Sequence, residues 1–477
     1  MKTYQDYLKA KEAGNVLDFI KSAINEYKES QEYKIACDAD EYERENNITI
    51  MEFMRYVCTM EGEKVVDFTA ANNQIASNFL HRLVTQRVAY SLGNGISFAS
   101  AEKVKDKDGK WTVQDKTKEA LGKDFDTVLY SAGRYARLHR VSYLFWNLDH
   151  ADLFKATEFC PLFDENNGAL GAGMRFWSLD WNKKPVTVVF YEQDGYTKYR
   201  TKQGEKGLEN LVEIEPKRAY KQKIAHNNVD PDEIIGESNY SDIPIIPFWG
   251  SEHRQSDLVG MRSKIDAYDL VKSGFANDLE DCAEIYWIVG NALGMTQDDL
   301  AKFRDRLKLQ HIVAADTDNT NITPYTQEIP TQARAVLLES LRTQIYEDYG
   351  GLDVISFSGG KAKTATEIEA AYQPMDEEAD DFEYQCIKAV RGVLEIIGID
   401  DMPIFQRNRV SNRMEQTQMV MMAANYLDAE TVIRKLPFIT PDEVDGILER
   451  RMLAEQAFLE AQKEDEEEEE EIEEEGV

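Results

Sequence analysis

Gly350-Gly351-Leu352-Asp353-Val354-Ile355-Ser356-Phe357-Ser358-Gly359-Gly360-Lys361-Ala362-Lys363 closes the stretch from Ser256 to Thr364 on which the reading of this chain turns. Two helical patterns precede it. Over 256–287, Leu258, Met261, Ile265, Tyr268, Val271, Phe275, Leu279, Cys282 and Tyr286 recur three or four residues apart, which predicts one apolar helix face. At 1.5 Å per residue this is a rod of roughly 48 Å. Leu338, Leu341, Ile345 and Tyr349 predict a second helix over 331–349, a rod of roughly 28 Å. Between them, 288–330 reads as a small β-containing module, with a short helix from Asp298 to Leu307, a strand from Gln310 to Ala314 and a turn-rich run from Asp316 to Pro324. After the loop a third helix is expected from Ala365 to Ile397. Pro374 inside it lacks an N–H and clashes with the preceding turn, so a kink is expected there.

The Gly359-Gly360-Lys361 triplet invites a phosphate-loop reading, and the neighbouring positions refuse it. That motif needs glycine where Ile355 stands and Ser or Thr where Ala362 stands. Gly93-Asn94-Gly95 follows a helical pattern and lacks the third glycine of a dinucleotide fingerprint. Asp316-Thr317-Asp318-Asn319 lacks the glycine of a calcium loop and has Gln327 at its twelfth position. The six histidines show no metal-ligand spacing, although Glu252 and His253 stand side by side. Asp376-Glu377-Glu378 with Asp380-Asp381 could imitate a magnesium site, but adjacent acids on a helix point to different faces. A solvated or channel-facing surface is the expected reading. No catalytic, cofactor-binding or metal-binding residue is assigned.

Composition narrows the classes. The chain has 477 residues, 42% of them hydrophobic, enough for a large core. Its opening is polar, without a secretory signal, and no run is long enough to span a membrane. Five scattered cysteines (Cys37, Cys58, Cys160, Cys282, Cys386) form no CxxC pair and read as free, mostly buried thiols. Against 55 basic residues stand 88 acids, a net charge of −33. Proteins that grip nucleic acid carry basic patches; this chain carries the reverse. Eleven of its acids lie between Glu464 and Glu475, a run expected to be disordered.

Outside the central stretch, Val16, Phe19, Ile20, Ala23, Ile24 and Tyr27 predict a helix, and the polar Asp38–Asn47 run separates it from a segment around Ile50 to Val57. A helix is predicted from about Asn72 to Leu92, closed by a left-handed glycine. Strand signals follow: an Asp108-Gly109 turn between Val104 and Trp111, then Val141 to Trp146, with a helix near 115–137 between them. Val186 to Tyr191 and Tyr196 to Arg200 flank a turn at Gln193-Asp194-Gly195. Residues 203–243 read as polar loop, and Ile243-Pro244-Ile245-Ile246-Pro247-Phe248 as an extended connector whose prolines forbid a central strand. Thr440-Pro441 is a helix start, and 399–460 reads as short helices and loops.

In their order and spacing these segments resemble the portal proteins of long-tailed phages. The resemblance is carried by Tyr33 to Ile48, by Asn72-Asn73-Gln74-Ile75 leading into Phe79 to Gly95, and by Ile243 to Phe248. These are followed by Ser256-Asp257-Leu258 and Ile265-Asp266-Ala267-Tyr268-Asp269. It covers about 30–400 and implies an α+β, mainly helical portal fold with wing, stem, clip and crown, assembling as a ring of usually twelve subunits. On that basis 1–250 is the wing (helical with a β part), 251–287 the first stem helix and 288–330 the clip. The second stem helix is 331–349 and the tunnel loop 350–363. The kinked wing helix is 364–398, the crown 399–460 and the acidic tail 461–477. Phe357, Ser358, Gly359, Gly360, Lys361 and Lys363 would face a DNA channel, with Pro374 the helix kink. Implied partners are double-stranded DNA bound without sequence preference, the terminase large subunit, the major capsid protein, scaffolding protein and a head–tail adaptor. The implied place is the capsid portal vertex, after assembly in the host cytoplasm. Twelve copies would carry a charge of about −400, a wall that repels phosphate. Two other readings remain: a motor ATPase or nuclease of the same pathway, and a non-viral helical scaffold.

Overall fold

The computed structural model describes residues 1–58, 63–68, 70–105, 111–178, 185–202, 207–224, 234–281, 286–289, 322–325, 330–353, 365–408, 417, 420–424, 426–436, 438–439, 443–454 and 456–457. They divide into two compact units. One comprises Met1–Glu43, Phe79–Gly260 and Tyr346–Val477; the other comprises Arg44–Asn78 and Met261–Ile345.

The first unit is built on two antiparallel sheets. Five strands lie in the spatial order Val212–Arg218, Gly195–Arg200, Thr187–Glu192, Leu170–Trp177 and Phe159–Phe163. The middle strand is buried at every position, whereas Gly195–Arg200 alternates with the period of two that a half-covered strand must show. Two helices, Tyr4–Glu12 and Val16–Glu29, supply Tyr7, Phe19, Ile20 and Ile24 to a core shared with Met174, Val188 and Phe190. Ile20 and Ile24 are completely buried, and each such side chain stabilises the fold by about 1.5–3 kcal/mol. Gly173 leaves room for Phe159, whose ring would lie 2.1 Å from any added Cβ.

The second sheet orders Ile245–Trp249, Val141–Asn147 and His150–Lys155. Helix Phe125–His139 packs on it. The long helix Ala365–Ile397 covers the edge strand, with Phe382 stacked 5.9 Å from Phe248. The helix is continuous through Pro374. Phe79–Leu92 packs between these helices and closes with Gly95 in the left-handed region, φ 71°.

In the second unit, residues 71–78 form neither helix nor strand, yet they are firmly held. The N–H groups of Asn73, Ile75 and Ser77 donate to Asn277 Oδ1 (2.5 Å), Ser273 Oγ (3.0 Å) and Asp269 Oδ2 (3.2 Å). Alternate residues of the segment thus meet every fourth residue of helix Asp257–Asp281. Four helical residues advance about 6.0 Å and two extended ones about 6.6–6.8 Å, so the two repeats keep step.

Several expectations are corrected. The first long helix was predicted to 287; it ends at Asp281, and Tyr286–Val289 is a strand paired antiparallel with Ile322–Tyr325. Aromatic and β-branched residues there favour a strand, and three residues cannot distinguish helical spacing from alternation. The turn-rich reading of 316–324 fails at the same pairing. The predicted apolar stripe is buried at Leu258, Met261 and Ile265, but farther along the buried positions are Asp269, Ser273 and Asn277, and Leu279 is exposed. The helix predicted from Asn72 begins at Phe79, because asparagine side chains compete with helical backbone bonds. Helix Gln31–Glu43 runs into the supposed polar spacer. The single helix near 115–137 is two, Lys116–Leu121 and Phe125–His139, parted at Gly122 with φ 89°. Residues 203–243 contain strands Val212–Arg218, Lys221–Ile224 and Ile234–Ser238; the first is an exposed edge, so it lacks an apolar alternation. The proline connector is itself a strand, Ile245–Trp249, at a sheet edge where Pro247 is tolerated.

Helices Thr331–Tyr349 and Ala365–Ile397 lie where they were expected. Cys160 and Cys386 are buried free thiols and Cys37 a half-buried one. The helix at 298–307, the strand at 310–314, the Asp108-Gly109 turn and the acidic tail lie outside the described residues, as does the Thr440-Pro441 helix start.

Candidate functional site

The site of interest is the root of the 350–363 loop, within the first unit. Helix Thr331–Tyr349 stops at Gly350, whose φ of 67° suits glycine. Gly350 N donates to Glu347 O at 3.0 Å and Gly351 N to Tyr346 O at 2.9 Å. This is the paired closure that satisfies a helix's last carbonyls. The next residue is gripped from the side: Gln86 Nε2 donates to Leu352 O at 2.9 Å, and Leu352 N donates to Gln86 Oε1 at 3.0 Å. One side-chain amide therefore satisfies both backbone groups of Leu352, as a neighbouring strand would.

Beside Gln86, Arg87 lies 3.9 Å over the Tyr349 ring, donates to Tyr349 O and pairs with Glu378 at 3.2 Å. Tyr349 in turn donates its hydroxyl to Asp257 Oδ2 at 2.5 Å. Asp257 is the first residue of helix Asp257–Asp281, where a negative charge favours the helix dipole. Arg137 reaches the same carboxylate through Nε (3.0 Å) and Nη2 (2.8 Å), and its Nη1 donates to Gly250 O at 2.8 Å. Burial pushes the Tyr349 phenol far above its ordinary range. Burial works against the Arg137 charge, but Asp257 outweighs it and holds the guanidinium protonated. One buried network thus joins the start of one helix, the end of the next, the long helix and the loop's first residues.

Of the predicted site residues, Phe357, Ser358, Gly359, Gly360, Lys361 and Lys363 lie outside the described residues. Pro374 sits in the long helix with its carbonyl 3.4 Å from where a Cβ on Gly350 would stand. The acids at 376–381 were expected to be a solvated or channel-facing surface; Glu377, Glu378 and Asp380 are exposed, and most of the acids are bonded as well. Asp376 accepts from Tyr90 (2.6 Å) and Arg407 (3.1 Å), Arg407 also binds Asp380 and Glu383, and Asp381 accepts from Glu252 N at 3.1 Å. Their partners come from remote parts of the chain, out of reach of local spacing. Gln86, Arg87 and Arg137 were not singled out from sequence, and Tyr349 and Asp257 were named only for a helix face and for the resemblance, not as site residues. The available signal was Arg87, three and four residues after Val84 and Leu83 on an apolar helix face; Arg137 has Gly133 and Arg134 at those spacings and gave no such signal. Charges so placed are almost never buried unpaired.

Among the described residues no group of three or more histidines, cysteines or acids could hold a metal ion. No described helix is long and apolar enough to cross a membrane.

Comparison with known proteins follows the same lines. Residues 20–474 match the family model described as phage portal protein, SPP1 Gp6-like. The portal protein of Bacillus phage SPP1 is 22% identical over 416 residues, covering 82% of this chain and 78% of that protein. The portal protein of Clostridium phage phiCD119 is 28% identical over 242 residues, 48% of this chain; the match spans about half of that relative, 51% of its length. Among solved structures, the neck of a native gene transfer agent particle computed with C12 symmetry aligns with a TM-score of 0.39 at 11% identity, covering 76% of this chain and 90% of that one. The neck of the empty particle, computed with C6 symmetry, gives 0.39 at 10% identity, covering 74% and 88%. The family model runs through both units and through every segment on which the loop's root is built, so the chain belongs to the SPP1 Gp6-like family of phage portal proteins.

Proposed function

We propose that this chain forms the ring-shaped channel at one capsid vertex through which double-stranded DNA is packaged and ejected. The observation that carries this reading is the family match across residues 20–474. The family is structural rather than enzymatic, and the chain is proposed to have no catalysis of its own. In the proposed division, 1–250 is the wing, 251–287 and 331–349 the stem helices, 288–330 the clip and 399–460 the crown. The helix 364–398 returns through the wing with a bend at Pro374, and 461–477 is a disordered tail. The loop at 350–363 lines the channel, where Phe357, Ser358, Gly359, Gly360, Lys361 and Lys363 meet DNA without reading its sequence. The buried network at Tyr349 supports this reading, because a loop that works beside moving DNA needs a fixed root.

The proposed assembly is a homo-oligomeric ring of about twelve subunits, the number that the family resemblance implies. Its proposed partners are the terminase large subunit, the major capsid protein, scaffolding protein and a head–tail adaptor, at the virion's portal vertex after assembly in the host cytoplasm. Electron microscopy of the purified chain tests the reading. Rings of about a dozen subunits with a central hole are expected; monodisperse monomers would overturn it. An ATP hydrolysis assay separates it from a packaging motor.

A further inference from the structure

Two of the four non-glycine residues with positive φ among the described residues meet at one side chain. Arg140 (φ 78°, ψ −39°) joins helix Phe125–His139 to strand Val141–Asn147, and Arg254 (φ 52°) lies in the turn before helix Asp257–Asp281. Both guanidiniums sit over Trp249, the half-buried last residue of strand Ile245–Trp249. Arg254 Cζ is 4.4 Å from the centroid of its ring and Arg140 Cζ 5.4 Å. Backbone bonds hold the arrangement, Gly250 N donating to Arg140 O and Arg254 N to Ser251 O, each at 3.1 Å. Glycine would take these φ values without strain, and strained non-glycine backbone persists where the side chain is needed. Inside the chain these side chains have little to do. Arg140 pairs with Glu32 at 3.3 Å, an ion pair open to water on both sides and so worth little. Arg254 is exposed, and it has no acidic partner and donates no side-chain N–H among the described residues. The two charges lie within about 10 Å of each other, no more than one Debye length in 0.1 M salt, so they repel. An anion held by both relieves that repulsion, and a guanidinium's fork of N–H groups matches a carboxylate two bonds at a time.

We propose that Arg140, Trp249 and Arg254 form a docking site for this chain's own acidic run, Glu464–Glu475, of one copy or of its neighbour. Every position of that run except Ile472 is an acid. Residues 458–477 follow the last described residue, Ala457, and reach up to about 70 Å when extended. Like charges along the run repel one another, and two guanidiniums with few acids of their own offset part of that repulsion. Phosphates would suit the same donors. Any anion approaches a chain whose net charge is −33, which slows encounter from solution. A tethered run needs no such encounter, because its effective concentration is on the order of millimolar. The tail is therefore the favoured occupant, and its binding weakens as salt screens the contact. This inference does not depend on the portal reading.

The test uses the full chain and the rate at which a glutamate-specific endoprotease cuts within 464–475. Arg140→Gly with Arg254→Gly removes both charges and suits both φ values. Cleavage in this variant is expected to run about fivefold or more faster than in wild type at low salt, with the difference gone near about 0.5 M salt. Equal rates at low salt overturn the inference. A second variant, Arg254→Lys, keeps the charge and offers an amine that a carbodiimide joins to an adjacent carboxylate. The crosslink from position 254, mapped by mass spectrometry, is expected to fall within 464–475; a map without it overturns the inference. If the glycine variant does not fold, this crosslink decides. A DNA duplex that binds wild type and not the glycine variant, with tail cleavage the same in both, would assign the site to phosphate and overturn the tail as occupant. Ring formation by wild type reads the portal proposal separately.

Discussion

Arg137 and Asp257, 120 positions apart in the chain, meet as a two-point ion pair, Nε to Oδ2 at 3.0 Å and Nη2 to Oδ1 at 2.8 Å, both almost fully buried. A buried pair is weak evidence of net stabilisation, because taking two charges out of water costs about as much as their attraction returns. Here the pair is extended by Tyr349 and by Gly250, so its geometry also fixes where two helices begin and end.

Removing one partner should therefore harm far more than removing both. Arg137→Ala and Asp257→Ala are each expected to lower the unfolding free energy by about 3–5 kcal/mol, the cost of an uncompensated buried charge. A double replacement by apolar residues of similar volume, Arg137→Met with Asp257→Leu, should recover much of it. Urea unfolding of the three variants checks this. Losses that simply add in the double variant would show that the pair is not a unit.

How far the sequence reached can be judged at this network. Period and propensity located both helices that meet at Asp257 and Tyr349, because those signals are local. The partners Arg87 and Arg137 stayed hidden, since a salt bridge across 120 residues leaves no spacing to read. The reverse error occurred at Asp269, Ser273 and Asn277. An apolar stripe was extended through that part of the helix, and the buried face proved polar because it serves the backbone of 71–78 instead of a hydrophobic core. At Ile245–Trp249 the prolines were read correctly as barring a central strand, but an edge strand satisfies the same restriction. The tunnel-loop lysines rest on the family resemblance and on the loop's composition.

Gln86 is expected to control the backbone at the loop's root. Gln86→Leu keeps its volume and removes both bonds to Leu352, each contributing about 1 kcal/mol. The Leu352 amide should exchange on the order of ten times faster, while the core of the five-stranded sheet keeps its protection. Unchanged exchange at Leu352 would mean that the Gly350–Gly351 closure holds the root alone.

Glu192 should make the first unit acid-sensitive. Its carboxylate accepts from Tyr7 at 2.5 Å and from Lys11 at 2.7 Å, and pairs with Lys217 at 2.8 Å. Burial raises its pKa, but these partners together outweigh burial and leave it below the ordinary value. A depressed carboxyl contributes stability that is present above its unfolded pKa, about 4.3, and is lost as pH falls through the folded value. Glu192→Gln is expected to lower stability by about 1–3 kcal/mol at neutral pH and to flatten the fall between about pH 5 and pH 3. Unfolding followed at both ends of that range measures it; an equal loss at both would place the effect in packing.

Lys361 and Lys363 carry the sharpest functional prediction, because they are positive charges in a chain whose net charge is −33. In a ring of such subunits they would stand as two basic circles in an acidic wall, the places where a passing phosphate is held briefly. Reversing both, Lys361→Glu with Lys363→Glu, changes the charge of each subunit by four and leaves Gln86, Leu352, Arg137 and Asp257 unsubstituted. Rings are therefore expected to form as in wild type, and DNA packaging to fall by tenfold or more. A screened electrostatic contact should weaken as salt rises, so the gap between wild type and variant should narrow at high ionic strength. Normal packaging by the double variant would remove the two lysines from any role in DNA contact. Failure to form rings would move their role from the channel to assembly.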